Sequence, residues 1–123
     1  MKPDKKYKIL LVDDEKDLCD VMAWELEDSG FIVSKAYTGE EALDLLDNQN
    51  YDFLISDIKM PEMDGVQMIN EIKDRRKIEN GIFLMTGYTH YTKENLDKLG
   101  VLKLFEKPID IEKMILTLEK YKK

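Results

Sequence analysis

The sequence predicts an α/β fold: one open parallel sheet with helices packed on both of its faces. Three observations lead there. Short apolar runs alternate strictly with amphipathic stretches, giving five strand–helix units, the pattern of parallel strands joined by right-handed helical crossovers. The strongest runs, Ile9-Leu10-Leu11-Val12 and Phe53-Leu54-Ile55, are continuously apolar, as strands buried on both faces must be. Several of the runs end abruptly in polar residues at what would be one edge of that sheet.

Ile9 to Val12 is the first strand and stops at Asp13-Asp14. Asp17 to Ser29 reads as a helix ended by Gly30. Phe31 to Val33 is a weaker second strand. Thr38 and Glu41 have the spacing of a capping box, in which each side chain bonds the other's backbone N–H. The helix behind them carries Ala42, Leu43, Leu45 and Leu46 and dissolves at Asn48-Gln49-Asn50. Phe53 to Ile55 is the third strand, ending at Ser56-Asp57. Asp64-Gly65 opens a third helix bearing Val66, Met68, Ile69 and Ile72. Ile82 to Met85 is the fourth strand, ending at Thr86-Gly87, and a short polar helix covers Thr92 to Leu99. Val101 to Phe105 is the fifth strand, ending at Glu106-Lys107-Pro108. Asp110 caps the last helix, where Ile111, Met114, Ile115 and Leu118 recur at helical spacing.

At 123 residues the chain has one domain's length and can bury a core unaided. We read 1–123 as a single domain with a polar extension over 1–7, and the lysines from Lys120 to Lys123 as either a terminus or the start of a linker. Apolar residues make up 43% and charged ones 37%, too apolar for a disordered chain. A net charge of −7 argues against nucleic-acid and anionic-membrane surfaces but suits a divalent cation. No apolar run reaches the roughly 20 residues a bilayer requires, and the start of the chain lacks the apolar core of a signal peptide. Cys19 is the one cysteine, so no internal disulfide forms, which fits the cytoplasm.

Asp13, Asp14, Asp57, Thr86 and Lys107 all fall at or just beyond strand ends. In open parallel sheets ligands bind at that edge, where strand order reverses. If the first and third strands are neighbours, the three aspartates converge. Carboxylates so placed repel unless their pKa values rise or a cation neutralises them, and hard oxygen ligands suit Mg²⁺ or Mn²⁺. A free carboxylate oxygen beside such a cation can attack a phosphoryl group in line. Lys107 would meet the phosphoryl oxygens with a second positive charge, and the Thr86 hydroxyl would donate a hydrogen bond.

These residues give the chain a resemblance to the receiver domains of response regulators, over essentially its whole length. The resemblance rests on Asp13-Asp14, Asp57, Met60-Pro61, Met63-Asp64-Gly65, Thr86-Gly87 and Phe105-Glu106-Lys107-Pro108, in order and on the expected elements. It implies a flavodoxin-like sheet of order 2-1-3-4-5 and a two-component or phosphorelay switch. Asp57 would be the phosphoacceptor, with Asp14, Asp57 and the Lys59 backbone carbonyl on Mg²⁺ and Asp13 acting through a bound water. Thr86 and Phe105 would form a switch pair acting on the face made by helix four, strand five and helix five. The Lys107–Pro108 bond would be cis. The implied partners are a sensor histidine kinase or histidine phosphotransfer protein and a downstream protein or output domain. The chemistry would be confined to the domain itself, so the chain is not expected to be an enzyme on external substrates.

Lys59 and Tyr88 lie two residues past Asp57 and Thr86, positions that flank the site in this family. We expect them to restrict water and prolong the acyl phosphate. The first helix carries more apolar residues than one side can bury, so Val21 or Trp24 should face water. With Leu18 and Pro108 they are candidates for docking the phosphoryl donor. His90 reads as a surface residue and Cys19 as core. A haloacid-dehalogenase-like phosphatase would need an aspartate where Lys59 stands, and a degenerate receiver would lack some of the five site residues.

Overall fold

The computed structural model describes residues 5–72 and 78–123. Five strands, β1 (Lys8–Val12), β2 (Ile32–Ala36), β3 (Phe53–Asp57), β4 (Gly81–Thr86) and β5 (Val101–Glu106), alternate with five helices. These are α1 (Lys16–Asp28), α2 (Gly39–Asn48), α3 (Gly65–Ile72), α4 (Lys93–Lys98) and α5 (Ile111–Lys120). All strand pairs are parallel, and the order is β2-β1-β3-β4-β5.

The continuous apolar runs have the cause inferred for them. Successive side chains of a strand point to opposite faces, so Leu10, Val12, Leu54 and Leu84 join one core with Leu43 and Leu46 of α2 and Met68 and Ile69 of α3. Ile9, Leu11, Ile55, Phe83 and Met85 join a second core with Cys19, Ala23 and Leu26 of α1 and Met114 and Leu118 of α5. Each face requires an apolar residue, so the run never alternates.

Three local expectations need correcting. The second strand starts and ends later than Phe31–Val33, because the Phe31 N–H still bonds the Leu26 carbonyl at 3.2 Å and finishes α1. The capping box at α2 is offset. Thr38 Oγ1 accepts from Glu41 N at 3.1 Å, but the Glu41 carboxylate returns to Tyr37 N at 2.8 Å rather than to Thr38. The polar extension expected over 1–7 stops short of Tyr7, which is buried against Phe53; residues 1–4 lie outside the described residues.

Elsewhere the helix starts follow their capping residues. Asp64 Oδ1 accepts from Gln67 N at 2.8 Å while Gln67 Oε1 accepts from Asp64 N at 2.9 Å. Thr92 and Asn95 form the same reciprocal pair at α4. Asp110 accepts from Lys113 N at α5. Gly30, at φ +100° past α1, occupies a conformation that favours glycine. No helix among the described residues is long and apolar enough to cross a membrane.

Candidate functional site

β1, β3, β4 and β5 end together at one edge of the sheet, and their ends deliver the five residues singled out from the sequence. β1 and β3 are neighbours, so Asp13 and Asp14, just past β1, face Asp57 at the end of β3. One carboxylate oxygen from each of the three aspartates lies within 4.8 Å of the other two. Asp57 pairs in register with Met85 of β4, which places Thr86 one residue beyond it. The Lys107 N–H donates to the Thr86 carbonyl at 2.8 Å, tying the end of β5 to that of β4.

Lys107 Nζ reaches in from the far side. It lies 2.8 Å from Asp57 Oδ2, 3.2 Å from Glu15 Oε1 and 3.6 Å from Asp13 Oδ2. Partial burial pulls its pKa down, but the hydrogen bond and charge of Asp57 and the charge of Asp13 outweigh this and leave it above the ordinary lysine value. Burial pushes the Asp13 carboxyl above the ordinary aspartate value. The Glu15 N–H and Lys107 oppose that shift, and the Asp57 and Glu15 charges add to it. Asp13 Oδ1 accepts from Glu15 N at 2.9 Å, but its Oδ2 is buried with no hydrogen-bond partner.

Three converging carboxylates, one with an orphaned buried oxygen, fit a small divalent cation with hard oxygen ligands. Asp57 Oδ1 accepts from Lys59 N at 3.3 Å, so the start of the β3–α3 loop already folds around the carboxylate. Gly65 allows the loop to close: a Cβ there would lie 2.5 Å from the Asp57 carbonyl oxygen. Above the acids opens a cleft of about 660 Å³, lined by Asp14, Asp57, Lys59, Tyr88 and Lys107 among others.

The chain matches the family model described as the response regulator receiver domain over residues 9–119. The chain belongs to the response-regulator receiver domains. Among curated relatives, this receiver domain is 35% identical over 113 residues to an uncharacterized 14.6 kDa protein of Leptolyngbya boryana, covering 80% of this chain and 86% of that one. It is 34% identical to the transcriptional regulatory protein ZraR of Salmonella typhimurium over 94% of its own length but only 26% of ZraR. Among solved structures it resembles chemotaxis protein CheY4 of Vibrio cholerae, with TM-score 0.85, 27% identity and coverage of 96% and 100%. It also resembles the response regulator TrrA of Thermotoga maritima, solved in complex with Mg²⁺ and BeF, with TM-score 0.81, 31% identity and coverage of 94% and 99%. The receiver domain is thus a two-component signalling module of flavodoxin-like fold.

The other sequence candidates divide. The Lys107–Pro108 bond is cis. Phe105 is buried, its ring 5.9 Å from that of Phe83. The Thr86 hydroxyl faces its own loop: it donates to the Tyr88 carbonyl at 2.7 Å and accepts from Tyr88 N at 3.1 Å. Lys59 and Tyr88 are exposed and line the cleft, Tyr88 at 82%. On α1, Leu18, Val21 and Trp24 are 51%, 57% and 67% exposed. Leu18 and Val21 border a groove of about 690 Å³ shared with Lys107 and Pro108. His90 is exposed and stacks on Tyr91. Cys19 is buried, and burial with the nearby Asp13 and Asp20 charges pushes its thiol up to about 12.

Two participants were not picked out from the sequence. Glu15 holds Lys107, and its signal was the third acid of the Asp13-Asp14-Glu15 run. Tyr91 donates to Asp64 Oδ2 at 3.0 Å, and nothing in the spacing of two loop residues 27 positions apart announces that contact.

Proposed function

We propose that this receiver domain takes a phosphoryl group on Asp57 from a histidine kinase or a histidine phosphotransfer protein, and that the modification controls a partner or output domain. The observation that carries the reading is the convergence of Asp13, Asp14 and Asp57 around one point, with Lys107 Nζ 2.8 Å from Asp57. An Asp57 carboxylate oxygen forms the bond to phosphorus while the bond to the donor nitrogen breaks, its electron pair leaving with the imidazole. Lys107 follows the transferring oxygens from its present seat on Asp57. Thr86 turns its hydroxyl from Tyr88 to the same oxygens, and with Phe105 it relays the change to the face of α4, β5 and α5. Asp13, Asp14, Asp57 and the Lys59 carbonyl would hold Mg²⁺, or Mn²⁺ in its place. When bound, the cation offsets charge on the transferring phosphoryl oxygens.

The domain acts on itself, not on external substrates, as a single unit in the cytoplasm, without direct contact to nucleic acid or membrane. Lys59, where a dehalogenase-like phosphatase needs an aspartate, supports that reading. Incubation with phosphoramidate and Mg²⁺, followed by intact mass, tests it. One phosphoryl group should be gained, and none without Mg²⁺ or in Asp57→Ala. An equal gain in Asp57→Ala would overturn the assignment.

Lys59 and Tyr88 at the cleft mouth limit water's approach. A Lys59→Ala, Tyr88→Ala double variant should lose its phosphoryl group several-fold faster, and an unchanged or slower loss counts against the idea. The exposed edge of Leu18, Val21 and Trp24, continuous with Pro108, is the docking surface for the donor protein. Trp24→Ala should slow transfer from the kinase while leaving phosphoramidate labelling intact. Normal transfer from the kinase would remove Trp24 from that surface.

A further inference from the structure

We propose that Tyr91 is a positioning residue: its hydrogen bond to Asp64 latches the loop after β4 to the start of α3 and so holds the Thr86 hydroxyl out of the phosphoryl site. The inference rests on the phosphoacceptor reading above. It starts from a conflict over one proton. A threonine hydroxyl has one hydrogen to donate, and Thr86 gives it to the Tyr88 carbonyl while its oxygen accepts from the Tyr88 N–H. For Thr86 to donate to a group on Asp57, its bond to the Tyr88 carbonyl must be released, and the segment that presents that carbonyl has to give way.

That segment is short and fixed at its far end. Residues 87–92 join β4 to α4. Within them Tyr91 N donates to Thr89 Oγ1 at 3.1 Å, and the Tyr91 hydroxyl donates to Asp64 Oδ2 at 3.0 Å. The anchor is firm on the other side, because the second Asp64 oxygen caps α3 through Gln67 N. The Tyr91 ring packs against the core beneath α2 and α3, and His90 stacks on it at 4.7 Å between centroids. Above the latch the two loops are parted by a cleft of about 290 Å³, lined by Lys59, Asp64, Tyr88 and His90 among others. A hydrogen bond to a carboxylate in this half-buried place favours the loop arrangement that contains it. That arrangement is the one with Thr86 turned away, so the latch opposes phosphoryl capture.

The test measures the affinity of the Mg²⁺-loaded protein for beryllofluoride, an inorganic mimic of the phosphoryl group on Asp57, by calorimetry. Wild type is compared with Tyr91→Phe, Thr86→Ala and the double variant. Tyr91→Phe keeps the ring and loses the latch, and should bind about three- to tenfold more tightly. In the Thr86→Ala background the same substitution should change affinity by under about twofold, because no hydroxyl is left to hold back. Unchanged or weaker binding in Tyr91→Phe overturns the latch, even if a urea titration shows the variant less stable, since Tyr91 would then be a brace only. An equal gain in both backgrounds also overturns it. Failure of wild type itself to bind beryllofluoride overturns the phosphoacceptor reading and the latch together, whereas binding without a Tyr91→Phe gain overturns the latch alone.

Discussion

The two ends of the sheet are built on opposite terms. At the end where the strands start, Tyr7, Phe31, Phe53, Phe83 and Tyr121 form a chain of ring contacts with centroids 5.7–6.3 Å apart. Lys122 lies over the rings of Tyr7 and Phe31. Several polar groups there are answered: the Tyr7 hydroxyl donates to the Lys123 carbonyl and the Asn80 amide to the Tyr121 carbonyl, although the buried Tyr51 hydroxyl has no hydrogen-bond partner. At the end where the strands finish, Asp13, Glu15 and Asp57 share one lysine, and the buried Asp13 Oδ2 has no hydrogen-bond partner. One end spends its residues on packing, while the other holds like charges together that would be more stable apart. Under the proposed function, the charged end is where the chain gives up stability to bind a cation and accept a phosphoryl group.

Substitutions at the two ends should therefore move stability in opposite directions. The largest effect belongs to the packed end. Phe53→Ala removes a fully buried ring and should cost about 3–5 kcal/mol, read as a lower urea midpoint; a loss under about 1 kcal/mol would break the contrast.

At the charged end, Asp13→Asn in EDTA should stabilise the fold by about 1 kcal/mol, since it removes one of three crowded charges and supplies a donor. Mg²⁺ should reverse the ranking. At ten times its dissociation constant, the cation raises wild-type stability by about 1.4 kcal/mol, and it should raise Asp13→Asn much less. Equal Mg²⁺ responses in the two proteins would show that Asp13 is not part of the cation site.

The smallest effect tests the loop over the site. Glu62, at φ +68°, is the one non-glycine residue with positive φ among the described residues. Glu62→Gly should gain about 0.5 kcal/mol, the relief of a left-handed conformation less the added freedom of the unfolded chain. A loss would mean that the Glu62 side chain holds the loop.

Much of this was legible in the sequence, for physical reasons that differ between the ends. Buried parallel strands have to be apolar on both faces, so Ile9–Val12 and Phe53–Ile55 stood out. Carboxylates and a lysine at strand ends have few structural uses in such number, so Asp13, Asp14, Asp57 and Lys107 stood out by type and place. Boundaries set by single backbone hydrogen bonds were not readable. The Phe31 N–H could continue the helix or open the strand, and only the Leu26 carbonyl decides it. The surplus of apolar residues on α1 showed that some must face water, but the helix's rotation chose Leu18, Val21 and Trp24 together. The Tyr91–Asp64 bond was invisible because it joins two loops whose approach depends on the whole sheet.

The most direct measurement locates the phosphoryl group itself. Protein treated with phosphoramidate and Mg²⁺ is reduced with borohydride, which converts an aspartyl phosphate to homoserine, and the peptides are mapped by mass. Homoserine is expected at position 57 and nowhere else. Homoserine at position 13 or 14, or a phosphoryl group that survives reduction on another residue, would contradict it.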